Sequence, residues 1–303
     1  MPRRDRREIL EQLKELREMT KAEIEQEFEK ENALRASANK REKEKEKTSR
    51  MEMLEAGIKV EALERRDEEE NEVARKRIER VRKELIETQL RPEDYEFPGL
   101  EETLLADADA IDMPLVGREL YASAPEFLAG IDGDVQPTSA VPYNPHTANP
   151  WCWARGGGWW SSASISIYST FWFYFYPAAN RYYSVLPQVR YRGFYILRAD
   201  DKWWNSKYAR VVTDVRVRAY QYNWKPETVY PVLNHGDDNI SVNPRFDADR
   251  TFYYSFLAGA GDLAWIRVNV RIYAYARGSG SYAEMNFADG VANWLQVPTC
   301  HTY

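Results

Sequence analysis

The chain has 303 residues, 44% of them hydrophobic and 30% charged, with a formal net charge of −6. That length allows more than one structural unit. The most apolar run, Ile165 to Tyr176, contains Ser and Thr and is too short for a membrane-spanning helix, and a pI near 5.4 argues against a dedicated nucleic-acid binder.

Charge is distributed unevenly along the chain. Residues 1–95 carry 25 Lys and Arg against 27 Asp and Glu. Residues 96–150 carry one basic residue, Arg118, against ten acidic ones. Residues 151–303 carry 16 basic and 11 acidic residues and hold all ten Trp. A single well-mixed globular domain is excluded. The expected fold class is α + β in separate parts: a long N-terminal α-helical coiled coil (1–95), an extended acidic strap (96–150) and a C-terminal antiparallel β-sandwich (151–303), most simply jelly-roll-like.

Residues 3–91 contain no Pro and one Gly, Gly57, and are dominated by the strong helix formers Glu, Lys, Arg, Leu and Ala. Apolar residues recur three and four apart at Ile9, Leu13, Leu16, Ile24 and Phe28. A tighter seam runs Asn71, Ala74, Ile78, Val81, Leu85, Thr88. Its alternation of three and four is the a/d pattern of a coiled coil, with polar Asn71 setting register. Asn71, Ile78, Val81 and Leu85 are therefore candidate subunit contacts. The phase does not carry back through Gly57, which predicts two helical stretches with a break or stutter near residues 40–57. The run Lys40–Lys47 has no apolar member and reads as a solvated face. The helix is expected to end before Pro92. So charged a rod must pair with copies of itself or lie on a partner.

From Glu96 to Pro150, prolines punctuate an acidic segment that keeps short apolar pieces such as Met113-Pro114-Leu115-Val116. The prolines predict an extended path, and the apolar pieces predict that the strap lies on its own β-domain, a sister chain's or another protein.

After Trp151 the pattern alternates. In Leu263–Tyr275 one face reads Ala264, Ile266, Val268, Val270, Ile272, Ala274, and in Val211–Tyr222 one face reads Val211, Thr213, Val215, Val217, Ala219. Both are long strands with one core face. Further strands are expected at 163–176, 189–198, 229–233, 251–257, 281–287 and 291–297, with Gly278-Ser279-Gly280 as a hairpin turn. Thr170–Tyr176 is apolar or aromatic on both faces and requires a cover on each.

The sequence contains no Gly-x-Ser-x-Gly, His-Glu-x-x-His, phosphate loop or Rossmann pattern. The carboxylate pairs Asp200-Asp201, Asp237-Asp238 and Asp247/Asp249 read as turn formers, and Asp237-Asp238-Asn239 lacks a complete calcium loop. The chain is read as non-enzymatic, with no catalytic residue, metal or cofactor assigned. Cys152 and Cys300 open and close the β-domain, so a disulfide between them is one reading and two reduced thiols another. A zinc set adding His146 and His301 has no recognised spacing.

The aromatic surplus is the strongest functional signal. Trp203, Trp204 and Trp224, with the outward row Arg216, Arg218, Tyr220, are candidate ligand-binding residues, because exposed aromatic faces stack on sugars. The row Arg267, Arg271, Tyr273 suits subunit contact through cation–π stacking. An aromatic-rich core with surface ladders accounts for the same residues without a ligand.

A charged coiled coil, a strap and a C-terminal β-sandwich, in that order, make a layout similar to phage and virion fibres. The resemblance covers the order of parts across the chain. It implies a homo-oligomer, with a trimer favoured, serving as a structural attachment protein. Its rod would dock on a larger assembly and its β-domain would face outward toward a glycan or cell-surface receptor. No membrane span and no nucleic acid figure among the partners. The basic start, Met1–Arg7, runs into Glu8-Ile9-Leu10-Glu11 rather than an apolar signal region. Synthesis in the cytoplasm without a signal peptide is expected, with the product part of a virion or extracellular particle. Two alternatives stand beside this: a carbohydrate-binding module multimerised by its coiled coil, and an intracellular scaffold whose rod wraps on a partner protein.

Overall fold

The computed structural model describes residues 6–87, 111–122, 146–157, 159–289 and 293–303. Two helices come first, α1 (Arg6–Glu55) and α2 (Val60–Glu87). The strap supplies β1 (Ile111–Asp112), β2 (Leu115–Ala122) and β3 (Thr147–Ala148). The C-terminal block follows with β4 (Trp151–Arg155), β5 (Ser162–Phe175), β6 (Arg181–Asp200), β7 (Tyr208–Gln221), β8 (Asn223–Trp224), β9 (Thr228–Asp237) and β10 (Asn239–Val242). It closes with β11 (Arg245–Thr251), β12 (Tyr254–Ala258), β13 (Ala264–Arg277), β14 (Tyr282–Asn286), β15 (Trp294–Gln296) and β16 (Cys300–Thr302).

The strands form two antiparallel sheets packed face to face. The front sheet runs β2-β5-β13-β7, with β8 and β9 along the far side of β7. The back sheet is built on the 20-residue β6: β12, β11 and β10 pair successively along one edge of it, and β16, β15 and β14 along the other. The alternating patterns place the core as expected. Ala264, Ile266, Val268, Val270, Ile272 and Ala274 of β13 and Val211, Thr213, Val215, Val217 and Ala219 of β7 are all buried. They face Tyr183, Val185, Val189, Tyr191 and Leu197 of β6 across the sandwich. Gly278-Ser279-Gly280 does not close a hairpin. Its neighbours β13 and β14 belong to opposite sheets, so the turn is a crossover between layers. Asp247 and Asp249 lie not in a turn but in β11, where Asp249 bonds Arg192 and Asp247 bonds Arg245.

The break in the helical region falls at 56–59, at the end of the expected window. Gly57 takes φ +75°, a conformation that suits glycine. The Gly57 and Ile58 amides donate to the Leu54 and Met53 carbonyls (3.0 and 2.8 Å), which ends α1 in a left-handed cap. α1 runs unbroken through Lys40–Lys47. The two helices lie on opposite outer faces of the sandwich, α1 on the front sheet and α2 on the back. The layers are therefore helix, sheet, sheet, helix. The expected coiled-coil seam faces the chain's own β-domain: Ile78 packs with Phe194, Ile196 and Tyr282, joined by Val81 and Leu85. Asn71 donates to Ser279 Oγ (2.5 Å) rather than to a sister helix. The heptad-like spacing was real, but the apolar face it creates is satisfied by any flat apolar surface, and the nearest is the outer face of β6 and β14.

The described strap residues also fold onto their own chain, β1 against β16 and β2 against β5. The expected helix end before Pro92 lies outside the described residues. Neither helix is long and apolar enough to cross a membrane. Cys152 and Cys300 are buried and are not joined in a disulfide. Cys152 pairs with Met285, which pairs with Tyr195, whereas Cys300 pairs with Pro187. Those registers stand eight residues apart along β6, about 26 Å, where a disulfide tolerates a Cα separation of roughly 4.4–6.8 Å. The same separation breaks up the zinc set. First and last strands do lie in one sheet, but at different heights.

Candidate functional site

The outward rows singled out from sequence lie side by side: Arg267 pairs with Arg218, Trp265 with Tyr220, and Asn269 with Arg216. They are covered by α1. Glu23, Glu27 and Glu31 recur every four residues, so one helix face presents three carboxylates to the sheet. Glu23 accepts from Arg267 (2.7 Å) and Arg218 (2.5 Å), Glu27 from Arg216 (2.9 Å) and from the Tyr168 hydroxyl (2.5 Å), and Glu31 from Arg271. Arg267 is only 2% exposed and also donates to Thr20 (2.9 Å) and Glu227 (2.9 Å). Burial alone would raise the Glu23 carboxyl, but the Arg267 and Arg218 guanidiniums outweigh it and leave Glu23 below the usual carboxylate range.

This face has two halves. Toward the N-terminus of α1, Ile9, Leu13 and Leu16 bury Trp172 and Trp265. Past Phe28 the same stripe turns polar just where the outer face of β5 turns to serine. Arg35 donates to the Ser164 carbonyl and hydroxyl (2.5 and 2.8 Å), and Asn39 bonds both the backbone and the hydroxyl of Ser162. Trp224 lies beneath Arg218 and Arg267, 4.9 and 4.8 Å from its ring, and packs against Trp172 and Tyr220. Arg216, Arg218, Tyr220 and Trp224 therefore belong to an intramolecular interface rather than a free ligand platform. Arg267, Arg271 and Tyr273 share that interface instead of meeting another subunit, and the guanidinium of Arg271 lies 5.1 Å from the Tyr273 ring. The signal for this cover was present in the i, i+4 glutamates. Nothing local ties them to arginines more than 180 residues away in sequence.

On the opposite face, Arg82 anchors α2. Its guanidinium lies 4.1 Å from the Trp151 ring and bonds Asp289. It also meets Glu284, a fully buried carboxylate that accepts from Trp151 Nε1 (2.8 Å), Tyr282 (2.7 Å) and Asn286 (2.8 Å). Nearer the helical turn, Asp67 pairs with Lys207 (3.2 Å) and accepts from Asn205 (2.9 Å).

Trp203 and Trp204 have separate fates. They form the tip of a two-residue turn in which Lys202 and Asn205 exchange both backbone hydrogen bonds, each 3.1 Å. Trp204 points inward and joins Trp159, Met53 and Val60 in a small cluster that grips the turn between the helices. Trp203 packs edge-on against it, ring centroids 5.3 Å apart, and remains 64% exposed. With Trp160 it forms the wall of an open groove of about 580 Å³ whose opposite side is Arg41, Glu44, Lys45, Thr48, Ser49 and Glu52 of α1. The Trp160 indole N–H has no acceptor among the described residues. An aromatic wall facing a row of hydroxyls, carboxylates and ammonium groups has the chemistry to hold a polyhydroxylated ring, apolar face on indole and hydroxyls toward the helix. Of the sequence candidates, Trp203 alone ends in such a place. Trp160 belongs to the aromatic surplus visible in the sequence, but the charged face of α1 opposite it is not legible as part of a site, because the run Lys40–Lys47 reads as a solvated helix.

Asp237 Oδ1 accepts from the amides of Asp238 (2.7 Å) and Asn239 (3.3 Å), the turn expected there. Among the described residues no group of three or more His, Cys, Asp or Glu is placed to hold a metal ion.

The chain matches no protein-family model and no curated protein. Among solved structures it is similar to TmCBM61 in complex with beta-1,4-galactotriose, at 8% identity and a TM-score of 0.21, over 61% of this chain and 87% of that one. The enzymatically active domain of bacteriophage CBA120 tailspike protein 4 is similar at 9% identity and a TM-score of 0.21, over 54% of this chain and 19% of the other. A CBM4 structure is similar at 9% identity and a TM-score of 0.17, over 55% of this chain and 86% of that one.

Proposed function

We propose that the chain is a non-enzymatic carbohydrate-binding protein, with the glycan lying in the groove between Trp203, Trp160 and the 41–52 face of α1. The observation that carries the reading is Trp203: a large indole packed edge-on against Trp204 and left 64% exposed beside a polar helix face. A side chain of that size normally buries its apolar area, and a sugar face is the kind of surface that covers it without a second protein. A fibre-like attachment role in a virion needs a helical part free to join other chains. Here α1 and α2 direct their contact faces to their own sandwich, which favours binding over rod assembly.

The test is a glycan array on the full chain, followed by affinity electrophoresis of the best polysaccharide with Trp203→Ala. We expect a loss of at least tenfold in affinity, about 1.4 kcal/mol, with stability changed by no more than about 0.5 kcal/mol because the side chain is exposed. Absence of binding on the array, or undiminished binding by the variant, rejects the reading.

A further inference from the structure

A second concavity, about 470 Å³, lies between α2 and the outer edge of β6 and β10. Its lining carries five charges, Glu70, Arg77, Arg198, Asp200 and Lys207, beside the Ser241 hydroxyl. Three of the five are already neutralised: Lys207 by Asp67 (3.2 Å), Asp200 by Lys202 (2.5 Å) and Glu70 by Arg66 (2.9 Å). The two arginines are not. Arg198 is 8% exposed and, among the described residues, bonds only neutral acceptors, the carbonyls of Leu197 (2.9 Å) and Val242 (3.0 Å) and the Asn243 side chain (3.2 Å). Its Nε has no partner among the described residues. Arg77 projects from α2 into the same cleft and has no ion pair among the described residues.

Burial lowers the affinity of the Arg198 guanidinium for its proton, and the nearby Arg77 charge lowers it further. Two like charges in one cleft, one of them buried and uncompensated, are unfavourable until a counter-charge arrives. Guanidinium is also the group best shaped to meet an oxyanion through paired N–H donors.

We infer that this cleft is an oxyanion site, in which Arg77 and Arg198 together hold a carboxylate, sulfate or phosphate group. The chemistry has two sources, a free inorganic anion or an acidic substituent on a polysaccharide. The site uses none of the groove residues around Trp203, so it stands or falls separately from the glycan reading.

The experiment is thermal unfolding of the full chain against sodium sulfate, each point matched in ionic strength by sodium chloride. The wild type is expected to show a saturable sulfate increment in Tm above the chloride control. Arg77→Gln, on the exposed side of the cleft, is expected to fold normally and to need at least tenfold more sulfate for the same increment. Lys83→Gln, elsewhere on α2, keeps the wild-type response. Equal sulfate increments in wild type and Arg77→Gln overturn the proposal, because a general salting effect acts on both alike. Oligogalacturonate and a neutral galactan then separate the sources. Arg77-dependent binding of the acidic oligomer assigns the site to a substituent, and a sulfate response without it assigns the site to a free anion. Trp203→Ala run in parallel retains the sulfate increment whether or not it loses glycan.

Discussion

At the scale of single residues, the tightest constraint is Gly280. Its φ is +81°, and a Cβ built there would fall 1.7 Å from the Asn71 side-chain oxygen. Gly280→Ala therefore forces a left-handed alanine and displaces the Asn71 side chain from the crossover turn. We expect a loss of about 1–3 kcal/mol from the backbone alone, read from the urea midpoint. An unchanged midpoint would show that the turn accommodates a left-handed alanine without strain. Arg267 is the matching case on the front face. Arg267→Met keeps the aliphatic stem but leaves Glu23 and Glu227 without their shared guanidinium. Because both carboxylates retain some solvent, the cost should be at the low end for a broken buried pair, about 3 kcal/mol.

Elements respond to solvent through these same pairs. Glu23 is held below its ordinary value of 4.5 in the folded chain. The stability it lends α1 is complete above pH 4.5 and is lost as the pH falls through the depressed folded value. Acid should therefore loosen α1 before the sandwich melts. Hydrogen exchange at pH 6 and at pH 3.5 checks this, and equal protection of α1 at both pH values would contradict it. The behaviour also explains what the sequence could convey. The strand faces of β7 and β13 were legible because alternation is local: every second residue of 264–274 is apolar, and all are buried. The helices were legible for the same reason, down to the stripe Ile9, Leu13, Leu16, Ile24, Phe28. Their partner was not. A helical stripe specifies a width and a spacing but not what lies opposite, and a sister helix and a flat sheet accept the same seam. The first half of β6 escaped notice because Pro187 interrupts the alternation. Pro187 offers no N–H to the ladder, but its carbonyl accepts from the Phe252 amide (3.0 Å) and the strand runs on through it.

For the whole molecule, the four-layer arrangement makes the helices part of the core rather than an appendage to it. Removing residues 1–87 would bare Trp172 and Trp265, both now fully buried, together with Phe194 and Ile196 on the other side. Two apolar patches on opposite faces favour association without closure. We expect the isolated β-domain to aggregate in light scattering. A monodisperse, monomeric fragment would mean that the helices cover nothing that needs covering. The candidate groove disappears with them, since one of its walls is α1, so glycan binding should be tested on the full chain.

The distance in sequence between α1 and its seat has a consequence for synthesis. Glu23 leaves the ribosome 244 residues ahead of Arg267, the later of the two arginines it meets, and at typical elongation rates that interval is on the order of 10–50 s. Throughout that time the sheet face that seats α1 is incomplete, since β5 is made long before β13. A strongly apolar helix would seek other partners while it waited. One carrying the Lys40–Lys47 run, and attaching through charges as much as through leucines, exposes less apolar surface while its seat is completed.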